Sequence, residues 1–435
     1  MKIVQITPGS GDNYYCENCL RDLELVKAMR AQGLDVLMVP LYLPLQIRKD
    51  EGIVNAPIFY GGVNVYLQQK LGLFQKTPRW VDKWFDSQRL LKWVAPKAGM
   101  TSAKDLEDTT LSMLRGKDGR QYKELNRLLS WLSQEEHRPD IICLSNVLLA
   151  GMAEPLKNRL QVPIVCWLQD EEAFVDTLSP PCADEAWSLM RQASQRHIDA
   201  FISVSQFYKD RMIQRLQIDP AKIHVVPLGI TVESYCPATE PPQTPVLGFL
   251  SRLCWPRGLD ILVEAFILLK RKESLKHLRL HLGGGYNFGD EPFVQGLKSR
   301  LEQAGVLNDV FIENDFTFAA RHRFLQDVSV MSVPEREDAA HALYVLEAQV
   351  MGIPVVEPYI GALPELLEKT GGGVLYEGRS ADALAQALEP LLQSCQEAKA
   401  LGAEGREGVL AHFNIADTAA ATTQICQETL EMIHA

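Results

Sequence analysis

The stretch SVPEREDAAHALYVLEAQVMGIPVV, Ser332 to Val356, decides how this chain is built. Its layout reads strand, loop, helix, strand. The helix is expected from about Ala342 to Met351, stops at Gly352, and gives way to Ile353 to Val356 as a buried strand. A crossover of this kind is the repeating unit of a parallel sheet. Within the helix Glu347 stands out, because a carboxylate among apolar residues needs a partner. A ribose offers it two hydroxyl donors, while amides at the helix N-terminus can face phosphate. Otherwise Glu347 lies on the helix's exposed edge.

The same alternation extends outward in both directions. Upstream, Lys2 to Ile6, Leu34 to Val39, Ile141 to Ser145, Pro163 to Leu168 and Ala200 to Val204 are short apolar runs separated by helical patterns. A second series comprises Val246 to Ser251, Leu278 to Leu282, Val310 to Ile312, Val328 to Val333, Ile353 to Val356 and Val374 to Tyr376. The expected fold class is therefore α/β, with two doubly wound parallel-sheet domains. A length of 435 residues agrees, since one core rarely organises so long a chain. Four prolines between Cys236 and Pro245 favour an extended connector. The boundary falls there, giving domains over 1–238 and 239–414, followed by a helical stretch over 415–435. The segment from about 41 to 118 breaks the alternation and reads as an insertion or a functional loop.

Composition narrows the function. A formal charge of −11 opposes general nucleic-acid binding, which selects clustered Lys and Arg. The N-terminus lacks the apolar stretch of a secretory signal. The longest mostly apolar run, Ile141 to Ala153, is shorter than the roughly 18 residues of a membrane span. Nine scattered cysteines suit a reducing compartment, so a cytoplasmic location is expected. Cys16 and Cys19 form the only Cys-x-x-Cys, and zinc would need two further ligands that no second pair supplies, so no metal site is expected. The stretch 76–97 holds six Lys or Arg against two Asp, together with Trp80, Trp84 and Trp93. It reads as a helix packed on the N-terminal domain, or as a peripheral membrane contact at the inner face, or as a lid over an acceptor.

Parallel sheets place ligands beyond the carboxyl ends of their strands. After the first strand, Gly9, Ser10 and Gly11 form a turn that allows close backbone approach to an anion or a sugar hydroxyl, or that is only a turn. After Val246 to Ser251, Arg252 and Arg257 flank one loop that enters the helix from Leu259. Such a pair can grip a diphosphate. Isolated arginines are more often solvated loop charges.

The runs Tyr344-Val-Leu-Glu-Ala348, Gly352-Ile-Pro-Val-Val356 and Gly361-Ala-Leu-Pro-Glu365 resemble the signature of retaining nucleotide-sugar glycosyltransferases of the GT-B architecture, family 4-like. Ser251-Arg252 with Arg257-Gly258 resembles that family's diphosphate-gripping Arg and Lys, with Arg replacing Lys. Ser203 to Ser205, Pro227 to Ile230 and Leu282 to Gly285 resemble further landmarks. The resemblance implies two Rossmann-like domains, a nucleotide-sugar donor on the C-terminal one and a glycan, lipid or small-molecule acceptor mainly on the other. It implies transfer without a metal or other cofactor, and a last helix that packs back on the first domain. Under it Arg252 and Arg257 stabilise the departing diphosphate and Glu347 binds ribose. Leu343 and Tyr344 open the donor helix, and Gly361, Ala362 and Leu363 present backbone.

The departures are specific. The family carries another Glu eight residues before its ribose Glu, and Ala339 stands there. Glu335, Glu337 or Asp338 could substitute, or His341 could contact the donor sugar. A His usual after the strand ending at Leu168 is replaced by Gln169-Asp170, which leaves Asp170, Glu337 and His341 as catalytic candidates. Three readings stay open: a glycosyltransferase, an epimerase or phosphorylase on the same architecture, and a nucleotide-sugar or glycan-binding pseudoenzyme.

Overall fold

The computed structural model describes residues 1–8, 17–41, 103–238, 242–313, 315 and 317–434. The turn at Gly9, Ser10 and Gly11 and the tryptophan-rich stretch 76–97 lie outside the described residues. The chain folds as two compact units. One comprises Met1–Asp12, Asn18–Val226 and Ala419–Ala435; the other comprises Pro227–Thr418 with Asn13–Glu17, of which only Glu17 is described.

Each unit holds a six-stranded, all-parallel sheet. The first consists of β1 (Lys2–Thr7), β2 (Asp35–Pro40), β3 (Ile141–Leu144), β4 (Ile164–Leu168), β5 (Ala200–Ser203) and β6 (Ile223–Val225), in the order β2-β1-β3-β4-β5-β6. The second consists of β7 (Val246–Leu250), β8 (Arg279–Gly283), β9 (Val310–Glu313), β10 (Val330–Met331), β11 (Val355–Pro358) and β12 (Gly373–Tyr376), in the order β12-β11-β10-β7-β8-β9. Register follows side-chain burial. Ile3 lies between Val36 and Ile141, and Leu247 between Val330 and Leu280. All are buried, as expected of strands covered by helices on both faces.

In the first sheet the strand order reverses between β1 and β3, and in the second between β7 and β10. These switch points open a crevice at the carboxyl ends of the strands, where ligands of such sheets bind. Ser251 and Arg252 follow β7, and Ser332 to Glu335 follow β10, so the pair of loops singled out by sequence flanks one crevice.

Two strands depart from expectation. β6, in Lys-Ile-His-Val-Val, is too short and too mixed for a clear apolar signal. β10 is shorter than the expected 328–333. The Val333 amide donates to the Glu357 side chain at 3.2 Å, which replaces the next rung of the ladder. The 41–118 segment ends in a helix, Ala103–Leu114, and the last helix spans Ile415–His434.

Candidate functional site

Close backbone approaches build the crevice of the second unit. Gly258, at φ 66°, begins the Leu259–Lys270 helix, and a Cβ there would lie 1.8 Å from the Pro334 carbonyl oxygen. Only glycine lets the loop after β7 meet the loop after β10 so closely. The Arg336 amide donates to Pro256 O at 3.0 Å, which ties the same two loops together.

Arg252 and Arg257 both project from the β7 loop, and each meets a carboxylate. Asp290, beyond β8, accepts from Arg252 Nε at 2.8 Å and Nη2 at 3.0 Å. Glu335, beyond β10, accepts from Arg257 Nη1 at 2.5 Å. The Asp290 and Glu335 side chains are only 14% and 4% exposed, whereas their arginines keep 36% and 27%. The forks thus reach solvent while their partners are enclosed.

The expected helix is present over Leu343–Val350, and every one of its residues is buried. At its entrance His341 Nδ1 lies 3.1 Å from Glu17 Oε2, which also accepts from the Leu343 amide at 3.3 Å. Burial pushes the Glu17 carboxyl up, but His341, Arg257 and the Leu343 amide outweigh it and leave it below its usual value. Tyr344 turns its phenol inward to donate to Glu357 at 3.1 Å, so its side chain is committed to the core. Burial, with the charge of Glu335 adding to it, holds the Glu357 carboxyl well above the usual range.

Glu347 is only 1% exposed, which excludes the helix-edge reading. Its Oε1 accepts from the Tyr235 hydroxyl at 2.6 Å and from Arg321 Nε at 3.2 Å. Sequence reasoning found the carboxylate but missed Tyr235 and Arg321, which lie 112 and 26 residues away. Ala339 has a geometric counterpart in Gly361. At φ 57°, Gly361 passes so near that a Cβ would lie 2.5 Å from Ala339 O, and the Ala362 amide donates to that oxygen at 2.9 Å. Ala362 and Leu363 are buried, which leaves backbone as their means of contact. Glu337 is exposed.

Asp170 belongs to the first unit, where it adopts a left-handed backbone, φ 51°, at the carboxyl end of β4. Such a conformation in a non-glycine residue is a mark of local strain. Its neighbour Glu171 ties the strand ends together by accepting from the Val147 amide at 3.0 Å and the Gln169 amide at 2.7 Å. Tyr208 donates to Glu171 at 2.6 Å and also faces Glu172. One phenolic proton cannot serve both carboxylates at once, and Glu172 also accepts from Arg211 Nη1 at 3.0 Å. Burial raises Glu171 to about 7 and raises Glu172 as well. Beside it Arg21, Asp22 and Ser145 form a buried network at the ends of β1 and β3. No group of His, Cys, Asp and Glu suited to a metal occurs among the described residues.

Two doubly wound units, one with an arginine pair at its switch point, have the architecture of the GT-B class. Comparison with known proteins agrees. Residues 23–229 match the glycosyl transferase 4-like domain and residues 244–394 match glycosyl transferases group 1. The chain belongs to this family of nucleotide-sugar glycosyltransferases. It is 31% identical over 177 residues to a GDP-mannose-dependent alpha-(1-6)-phosphatidylinositol monomannoside mannosyltransferase of Mycobacterium tuberculosis, covering 39% of this chain and 44% of the relative. The match therefore spans less than half of that relative's own length. Against a D-inositol 3-phosphate glycosyltransferase of Corynebacterium glutamicum, identity is 25% over 319 residues, or 70% of this chain and 75% of the relative. Among solved structures, sucrose-phosphate synthase of Thermosynechococcus elongatus superposes with a TM-score of 0.72 at 16% identity over 99% of both chains. Anabaena HepE in complex with UDP and glucose gives 0.70 at 16% identity, covering each chain fully. These structural likenesses concern the fold.

Proposed function

We propose that this chain moves a sugar from a nucleotide-sugar donor to a hydroxyl acceptor, with retention at the anomeric carbon and without a metal. The arrangement of Arg252 and Arg257 beside the Leu343–Val350 helix entrance carries this reading, because it gathers cations and backbone amides where a leaving diphosphate would develop charge. In the reaction the bond from C1 to the diphosphate oxygen breaks and a bond from C1 to the acceptor oxygen forms. The acceptor proton leaves with the nucleoside diphosphate. Arg252 and Arg257 stabilise that diphosphate, the backbone at Leu343, Tyr344 and Gly361 to Leu363 faces donor oxygens, and Glu347 receives the ribose. His341, at the helix entrance, is the catalytic candidate nearest these groups in the second unit; Asp170 serves the acceptor side. Gly9, Ser10 and Gly11 would meet phosphate or acceptor. The names of the relatives make inositol-type polyols and their lipids the first acceptors to try. A cytoplasmic site of action, with peripheral membrane contact through 76–97, suits a lipid acceptor.

Ala339 favours one competing reading, a nucleotide-sugar-binding protein without turnover. The test is thermal stability against UDP, GDP, ADP and their sugars, followed by release of nucleoside diphosphate from the stabilising donor with and without inositol. Native-state ligands raise the melting temperature. Stabilisation with acceptor-dependent release supports transfer. Stabilisation without any release favours the binding reading, and no stabilisation by any nucleotide refutes both.

A further inference from the structure

The two arginines of the β7 loop are neutralised symmetrically. In the order β10-β7-β8, Arg252 is met by a carboxylate from the loop beyond β8 and Arg257 by one from the loop beyond β10. Asp290 uses both oxygens on the Arg252 fork, and one of them also accepts from the Asn287 amide at 2.9 Å. Glu335 is the more enclosed of the two and accepts from Arg257 Nη1 at 2.5 Å. Beside it lies Glu357, whose carboxyl is held well above its usual range by burial and by the charge of Glu335. Two guanidinium groups and two carboxylates sum to zero charge. A diphosphate that grips either arginine must compete with the carboxylate already bound there.

We propose that Glu335 and Asp290 are displaceable counter-anions that set donor affinity, with the diphosphate taking over the guanidinium positions they occupy. Binding is then an exchange of anions on the arginines. The inference rests on the reading that Arg252 and Arg257 grip the diphosphate. Its chemistry is one of affinity: an internal carboxylate competes with the ligand for the same N–H donors, and its Coulombic repulsion adds to the competition. Glu335 is decisive because its carboxylate is the more enclosed.

The experiment is calorimetric titration of the full chain with UDP, GDP and inorganic pyrophosphate, comparing wild type with Glu335→Gln, Asp290→Asn and Arg257→Ala. Removing the competing charge at Glu335 should lower Kd for the preferred nucleotide and for pyrophosphate by roughly tenfold, the scale of one close charge pair, with less gain at high salt. Asp290→Asn should act in the same direction and decides the matter if Glu335→Gln does not fold. Weaker or unchanged binding in Glu335→Gln, alongside loss of binding in Arg257→Ala, would mean that the carboxylate only orients the arginine. That result overturns the inference and leaves the donor site standing. Wild-type affinity retained in Arg257→Ala would remove the donor-site reading and the inference together.

Discussion

The Tyr235 hydroxyl donates to Glu347 Oε1 at 2.6 Å, in a buried cluster that Arg321 joins through the same oxygen. Burial, then the charge of Glu347, holds the Tyr235 phenol well above its usual value, so it remains a donor throughout the range in which the protein is handled. Phe318 packs edge-on against the Tyr235 ring, with centroids 5.3 Å apart, which fixes the direction of the hydroxyl.

This cluster dictates how Glu347 should be tested. Glu347→Ala strands the Arg321 guanidinium in a buried site and is expected to cost about 3 kcal/mol or more. Lost nucleotide binding in that variant would then report unfolding as readily as a lost contact. Glu347→Gln keeps an acceptor for Tyr235 and removes only the charge. It should retain most of the melting temperature while nucleotide-induced stabilisation falls several-fold. Undiminished stabilisation in a folded Glu347→Gln would remove Glu347 from the donor site.

Tyr235→Phe separates positioning from contact. It should lower stability by about 2 kcal/mol, the scale of one hydrogen bond to a charged acceptor. If the phenol holds Glu347 toward a ribose, KM for the donor rises while kcat changes little. Equal stability loss with an unchanged KM would restrict Tyr235 to packing.

Much of this arrangement could be read in the sequence. Strands buried on both faces are continuous apolar runs, which is why eleven of the segments above appeared in the pattern; Ile223 to Val225 carries His224 and is only three residues long. The arginine pair and Glu347 stood out in the sequence itself, whereas the missing carboxylate at Ala339 showed only through the family resemblance. Their partners did not stand out. Asp290 and Glu335 sit in loops whose pairing depends on the strand order, and no local pattern reveals that β8 and β10 flank β7. Glu357 left a trace, as a carboxylate inside the strand Val355–Pro358, but a lone Glu in a strand does not declare which groups it meets.

Glycine at 258 is required by the approach of two loops. Gly258→Ala places a methyl within 1.8 Å of Pro334 O and forces an alanine into a left-handed backbone. Separation of the β7 and β10 loops should cost about 2 kcal/mol or more. The denaturation midpoint falls, and nucleotide binding weakens beyond what that loss predicts because Arg257 moves with its loop. A midpoint within error of wild type would show that the loops have room to part.

The Glu171 cluster makes the stability of the first unit depend on pH. The folded carboxyl titrates at about 7 against an ordinary value of 4.5. Because the folded value is raised, the protonated form is favoured in the native state. Its contribution is complete below about pH 4.5 and disappears as pH rises through about 7. The difference amounts to about 3.5 kcal/mol at most, since each pKa unit is worth about 1.4 kcal/mol. Glu171→Gln removes the titrating group; it should start less stable at pH 5, having lost an acceptor for one strand-end amide, and decline less between pH 5 and pH 8. The comparison is the difference in unfolding free energy between the two proteins at each pH, which cancels the other carboxylates. That difference should shrink as pH rises, and parallel curves would place the proton elsewhere in the cluster.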